Sequence, residues 1–216
     1  MGCDIHTIAQ IYAKTEEWDE TTQGSKVKWI TVDSNIGGEW RDYDSYSVLA
    51  DVRNYEGRGE LWEHLPLRGL PVGVKEEEPI PPSKPYTHTD TVYTTQWLGD
   101  HSYNHATLKE LVDFRDGLIG TRKKRGVVDA ETYTEYRDEG KLPKSWCGSV
   151  WGGRTSTVTP EQADAGDEHT HVQLEWDVVK RDQLGYFDKC IEHLTRIAEK
   201  WDVKPSHVRF VFGFDS

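Results

Sequence analysis

Phe187, Cys190, Ile191, Leu194, Ile197, Ala198 and Trp201 recur at i, i+3, i+4 and i+7, and the run Val208-Arg209-Phe210-Val211-Phe212-Gly213-Phe214 closes the chain soon after. The first spacing draws an apolar stripe along one side of a helix. The second is a strand built from Phe and Val. Elements this apolar must be buried, so the C-terminal third predicts the core. Ahead of them, 169–178 alternates, with Thr170, Val172, Leu174 and Trp176 on one face and His169, His171, Gln173 and Glu175 on the other. Strand, helix and strand in that order predict a right-handed crossover.

The start of the chain carries a second alternation. Cys3, Ile5, Thr7, Ala9 and Ile11 share one face of a strand, and Asp4, His6, Ile8, Gln10 and Tyr12 share the other. The first set suits a core; the second puts a carboxylate, an imidazole and an amide in one solvated row. Val27–Val32 reads as a strand antiparallel to the first, and Tyr46–Val52 as a short helix. Thr107-Leu108-Lys109-Glu110 is a capping box opening a helix through Leu111, Val112 and Phe114. Tyr86–Trp97 reads as a strand, Val127–Gly140 as a charged surface helix and Lys144–Thr157 as a loop. Residues 54–86 form a long loop region rich in Gly, Pro and charge. Within it Lys75–Pro85 is extended and barred from a ladder by its prolines. The expected fold is a single α+β domain over 1–216: a mainly antiparallel sheet including both terminal strands, helices packed against it, and long loops.

Composition narrows the partners. Nine Trp and ten Tyr compensate for a hydrophobic content of 35%, because each buried aromatic removes a large area from water. A formal charge of −12 excludes non-specific binding to duplex nucleic acid, which needs Lys and Arg against phosphate. A small anionic ligand remains compatible if local arginines or a cation offset the field. Cys3, Cys147 and Cys190 make neither a disulfide framework nor a zinc ribbon, so a reducing, cytoplasmic setting is expected. No apolar run of membrane-spanning length and no secretory signal is visible, so no membrane partner is expected. The Met-Gly-Cys start lacks the Ser or Thr that acylation requires at position 6, where His6 stands.

The hexapeptide Met1–His6, the stretch Tyr43–Asn54 (YDSYSVLADVRN), Arg68-Gly69-Leu70-Pro71, His101-Ser102 and the closing Val208–Asp215 (VRFVFGFD) together resemble a family of bacteriophage and bacterial proteins that open with MGCDIH and whose activity is uncharacterised. The resemblance spans the chain and implies a viral or prophage origin and the cytoplasm of a host cell. It supplies no reaction. Its members often carry an acidic residue near the end of the first strand, where this chain has Gln10, so the resemblance implies no third ligand on that strand.

The chemistry-bearing residues divide into two groups. Asp4, His6 and His101 are expected to be catalytic and to hold one divalent metal ion, which would activate water and offset the negative field. Structural alternatives are a solvated sheet edge for Asp4 and His6 and a loop before a helix for His101. Arg53 and Arg68 are the anion-binding candidates, against the alternative of a salt bridge with one of 38 acidic groups. Ser102, Tyr46 and Trp97 join them as substrate-binding residues, the two aromatics either stacking on a base or packing in the core. His169 and His171 form a weaker pair, and Cys3 reads as core. The expected function is a phage-type, metal-dependent hydrolase of a nucleotide phosphodiester, in the setting of a host immune signal. The alternatives are a non-catalytic sponge that sequesters such a nucleotide and a structural or partner-binding phage protein.

Overall fold

The alternation that starts the chain runs much further than the first eleven residues. In the computed structural model, which describes residues 2–38, 41–80, 94–152, 155–165 and 170–215, strand β1 extends over Asp4–Asp19. It turns back where the Asp19 carboxylate accepts the backbone N–H of Thr21 (2.9 Å), and strand β2 (Gly24–Ser34) returns antiparallel to it. Helix α1 (Tyr43–Ala50) follows. Its N-cap is Asp42, whose carboxylate accepts the N–H groups of Asp44 (3.1 Å) and Ser45 (3.2 Å), leaving two fewer orphan donors in the first turn. The other carboxylate oxygen of Asp42 accepts the N–H of Tyr186 (3.0 Å).

Strands β3 (Glu77–Ile80) and β4 (Thr94–Trp97) form a two-stranded antiparallel sheet. Lys75–Pro85 therefore does contribute a ladder, contrary to expectation, through the residues around Pro79. Residues 81–85 of that segment and 86–93 of the strand expected at Tyr86–Trp97 lie outside the described residues. Strand β5 (His101–Thr107) runs straight into helix α2 (Leu108–Gly117). The capping box is complete: Thr107 Oγ1 accepts the Glu110 N–H (3.2 Å), and Glu110 Oε2 accepts the Thr107 N–H (2.8 Å). His101 is thus on a strand rather than in a loop. Strand β6 (Thr121–Asp129) takes the front of the stretch expected to be helical, and helix α3 (Ala130–Glu139) only the rest. A short strand, β7 (Ser156–Val158), ends the loop after it. Strand β8 (Thr170–Val179), helix α4 (Gly185–Trp201) and strand β9 (Val208–Asp215) complete the chain.

The α+β class and the mainly antiparallel sheet with both terminal strands are as expected. Its order is β2-β1-β9-β5. The contacts group into two compact units. The first comprises Met1–Arg53, Glu63–Leu118 and Leu184–Ser216; the second comprises Asn54–Trp62 and Ile119–Gln183. The segment expected as one long loop is thus divided between them. Strands β8 and β9 belong to different sheets, so the expected crossover is not formed.

In the first unit both faces of the sheet are covered. Val208 through Phe214 are all buried. The α4 stripe is buried from Tyr186 to Ala198, whereas Trp201, at its end, is 48% exposed. On the opposite face Ile8, Val211 and Leu98 have no exposed surface and are flanked by Leu70, Val74 and Tyr103. The β1 face expected to be solvated is therefore core at Ile8 and Gln10, part-open at Asp4 and His6, and exposed at Tyr12. Gly213 lets the covering segment approach: a Cβ there would stand 2.1 Å from the Leu98 carbonyl oxygen. In the second unit sheet β6-β8-β7 buries Val172, Leu174, Trp176 and Val178 with Val128 and Tyr133. Two of the four cations of β6 turn inward, Arg122 lying 4.4 Å from the Trp62 ring and Lys124 4.0 Å from that of Trp146.

Candidate functional site

The register of β1 with β2 reaches only to Ile8↔Ser34. Before Ile8 the chain of β2 has turned away, with Asn35 N–H donating to the Thr7 carbonyl (3.0 Å) and Ile36 N–H to Thr7 Oγ1 (2.6 Å). That departure opens a cavity of about 610 Å3 along the start of β1, lined by Asp4, Ile5, His6, Asn35, Gly38, Arg41, Tyr46 and Gln96. Asn35 and Gly38 hold left-handed backbones (φ 54° and 79°) that make the wall.

Three polar groups meet on one face of the strands here. Asp4 stands opposite Asp215 in the β1–β9 register, and His6 opposite Gly213. Directly opposed residues share a face, and two carboxylates placed so repel each other unless cations offset them. Arg41 does this for Asp4 through a two-pronged pair, Nε to Oδ1 2.5 Å and Nη2 to Oδ2 2.7 Å. The pair holds the Asp4 carboxyl below its usual range. Asp215 accepts the Asp4 N–H at Oδ1 (3.1 Å), and its Oδ2 lies 3.2 Å from His6 Nε2. That nitrogen is buried and has no aligned hydrogen bond. Trp97, 41% exposed, packs its ring 4.8 Å from that of His6.

The residues expected to share a metal ion do not come together. His101 is opposite Phe214, which is opposite Ile5, so the register puts it on the other face from His6. Its ring lies 6.3 Å from that of Phe214, and its Nδ1 is 2.9 Å from Ser102 Oγ. Asp4 is engaged by Arg41. Among the described residues no three His, Cys, Asp or Glu side chains are grouped to hold a metal. The expected arginines do not line the cavity. Arg53 stands 5.6 Å from the Tyr43 ring centre. Arg68 pairs with Glu110 (2.7 Å), which holds that carboxyl down at about 2. Ser102 occupies the bulge after His101 with φ 51°. Tyr46 reaches the cavity but is 1% exposed, its ring 5.0 Å from Phe214. Burial pushes its phenol well up. Cys3 is buried, as expected, with its thiol raised by burial. His171 lies in the second unit's sheet, and His169 is outside the described residues.

The sequence reading missed Arg41 and Asp215. Arg41 precedes the α1 cap and belongs to no periodic pattern. Asp215 had one usable signal: if both terminal strands pair antiparallel, the carboxylate ending β9 must face the one starting β1. In comparisons with protein-family models, curated proteins and solved structures, the chain matches none.

Proposed function

We propose that the cavity binds a nucleotide and hydrolyses its phosphate ester, with His6 as general base and acid and Asp215 as the residue that positions it. The observation that carries this reading is the buried His6 Nε2, 3.2 Å from Asp215 Oδ2 on the wall of a 610 Å3 cavity. Catalytic pairs often align only when substrate arrives. A carboxylate beside Nε2 favours the proton there and leaves Nδ1 as the base. Nδ1 takes a proton from water as the water oxygen attacks phosphorus; the P–O bond to the leaving group breaks, and the proton passes to that oxygen. Trp97, its ring 4.8 Å from the imidazole, helps hold it in place. No step runs through a divalent cation held by Asp4, His6 and His101, because these residues do not converge. The phage resemblance supports a host nucleotide signal as substrate.

The test incubates wild type and His6→Ala with cyclic and linear nucleotides, with and without chelator, and recovers the ligand after denaturation. The wild type should release cleaved product, and His6→Ala should lose about 100-fold or more in rate. Intact ligand from both proteins replaces hydrolysis with sequestration. Product that vanishes with chelator restores the metal. Neither binding nor cleavage leaves a structural role.

A further inference from the structure

Arg41 is the arginine on the cavity wall, and its guanidinium is already occupied. We propose that Asp4 is a built-in competitor for the ligand's phosphate: it holds the Arg41 fork that the phosphate takes on binding, so Arg41 anchors the ligand and Asp4 sets its affinity. The inference rests on the reading that the cavity accepts a phosphate ester.

The Nε/Nη2 edge of a guanidinium grips two oxygens of a phosphate as it grips two of a carboxylate. The Asp4–Arg41 contacts of 2.5 and 2.7 Å use that edge. Both side chains are about half exposed, 48% for Asp4 and 56% for Arg41. Ion pairs so open to water hold together weakly, so exchange for a doubly charged group is cheap. The guanidinium lies close over residue 2, where a Cβ would stand 2.6 Å from Arg41 Nη1. Arg53 and Arg68, the other candidate anchors, face Tyr43 and Glu110. Displaced Asp4 would return to facing Asp215 across the β1–β9 pair with its charge uncompensated. That repulsion is the penalty Asp4 imposes on binding.

Isothermal titration with adenosine 5′-monophosphate, inorganic phosphate and adenosine tests this on wild type, Asp4→Asn, Asp4→Ser, Arg41→Ala and the Asp4→Asn/Arg41→Ala double variant, each first shown to melt cooperatively. Asp4→Asn and Asp4→Ser should bind the monophosphate about five- to tenfold more tightly than wild type. Arg41→Ala should lose at least tenfold, and the double variant should match it. Inorganic phosphate should follow the same order if the anchor alone recognises it, and adenosine should show no gain. Equal or weaker binding by both Asp4 variants overturns the proposal. So does wild-type affinity in Arg41→Ala, an equal gain for adenosine, or no binding of either phosphate by Asp4→Asn at millimolar concentration. Binding is read here, not turnover. A wild type that binds without cleaving overturns the hydrolase reading and leaves this inference standing. A cleaving wild type with no gain in the Asp4 variants does the reverse.

Discussion

Arg209 shows how much one residue's surroundings change its meaning. From sequence it is a polar interruption in an apolar strand. In the fold it is 8% exposed, and both Nε (3.0 Å) and Nη2 donate to one oxygen, Gln10 Oε1, with the Trp29 ring 4.3 Å away. Burial lowers its pKa to about 10, so it stays charged at neutral pH. A fork suited to two carboxylate oxygens meets one amide oxygen. Gln10→Glu should therefore stabilise the protein by about 1–2 kcal/mol at pH 7, the scale of a hydrogen bond to a charged group. Urea melts of the two proteins check it, and a loss of stability would mean that carboxylate desolvation outweighs the pairing. Glu110 gives a pH signature. Arg68 is the main cause of its depression from 4.5 to about 2. Because the folded value lies below the unfolded one, the contribution is present above about pH 4.5 and is lost as pH falls towards 2. The stability difference between wild type and Glu110→Gln should shrink over that window in melts taken stepwise from pH 6.

At the scale of elements, periodicity was legible wherever one face alone decided burial. The α4 stripe and the inward row of β8 were, and so was the Thr107–Glu110 box, whose signal is local. Leu194 has no exposed surface, so Leu194→Ala should cost about 2–5 kcal/mol in a denaturant melt. Less than about 1 kcal/mol would place it outside the core. Thr107→Ala should cost about 1 kcal/mol through the lost cap. The boundary errors share one cause. Val127 and Val128 suit either a helix or a strand, and cross-strand pairing with Gln173 and Val172 settles strand for the front of that stretch. Likewise His101 through Ala106 became a strand because β9 offered a free edge. A short polar segment takes its conformation from its partner.

For the whole molecule the decisive contact joins the two ends of the chain. Strand β9 lies between β1 and β5, so its backbone groups are paired on both sides and its side chains are buried on both faces. A chain cut after His207 should fail to fold: its circular dichroism should lack a cooperative thermal transition, whereas removal of Ser216 alone should leave the transition intact. Pairing residues as far apart as Asp4 and Asp215 requires closing a very long loop before any contact rewards it. Refolding should therefore be slow for a chain of this size, on the order of seconds in stopped-flow fluorescence.

The amino-acid sequence by itself determined what depends on short spacings: α+β class, terminal strands in one sheet, the α4 core stripe, the capping box, and Asp4 and His6 side by side on a strand. Alternation and helical period are properties of neighbours, and a single chain displays them directly. Only the tertiary structure decided which polar groups meet. Register on β9 brought Asp215 to His6 and sent His101 to the Phe214 face. The turning away of β2 opened the cavity and let Arg41, outside every pattern, reach Asp4. For Arg53 and Arg68 the sequence left an anion or a salt bridge open, because the groups they meet, Tyr43 and Glu110, are ten and forty-two residues away. A functional site is a set of long-range distances, and no local period encodes them.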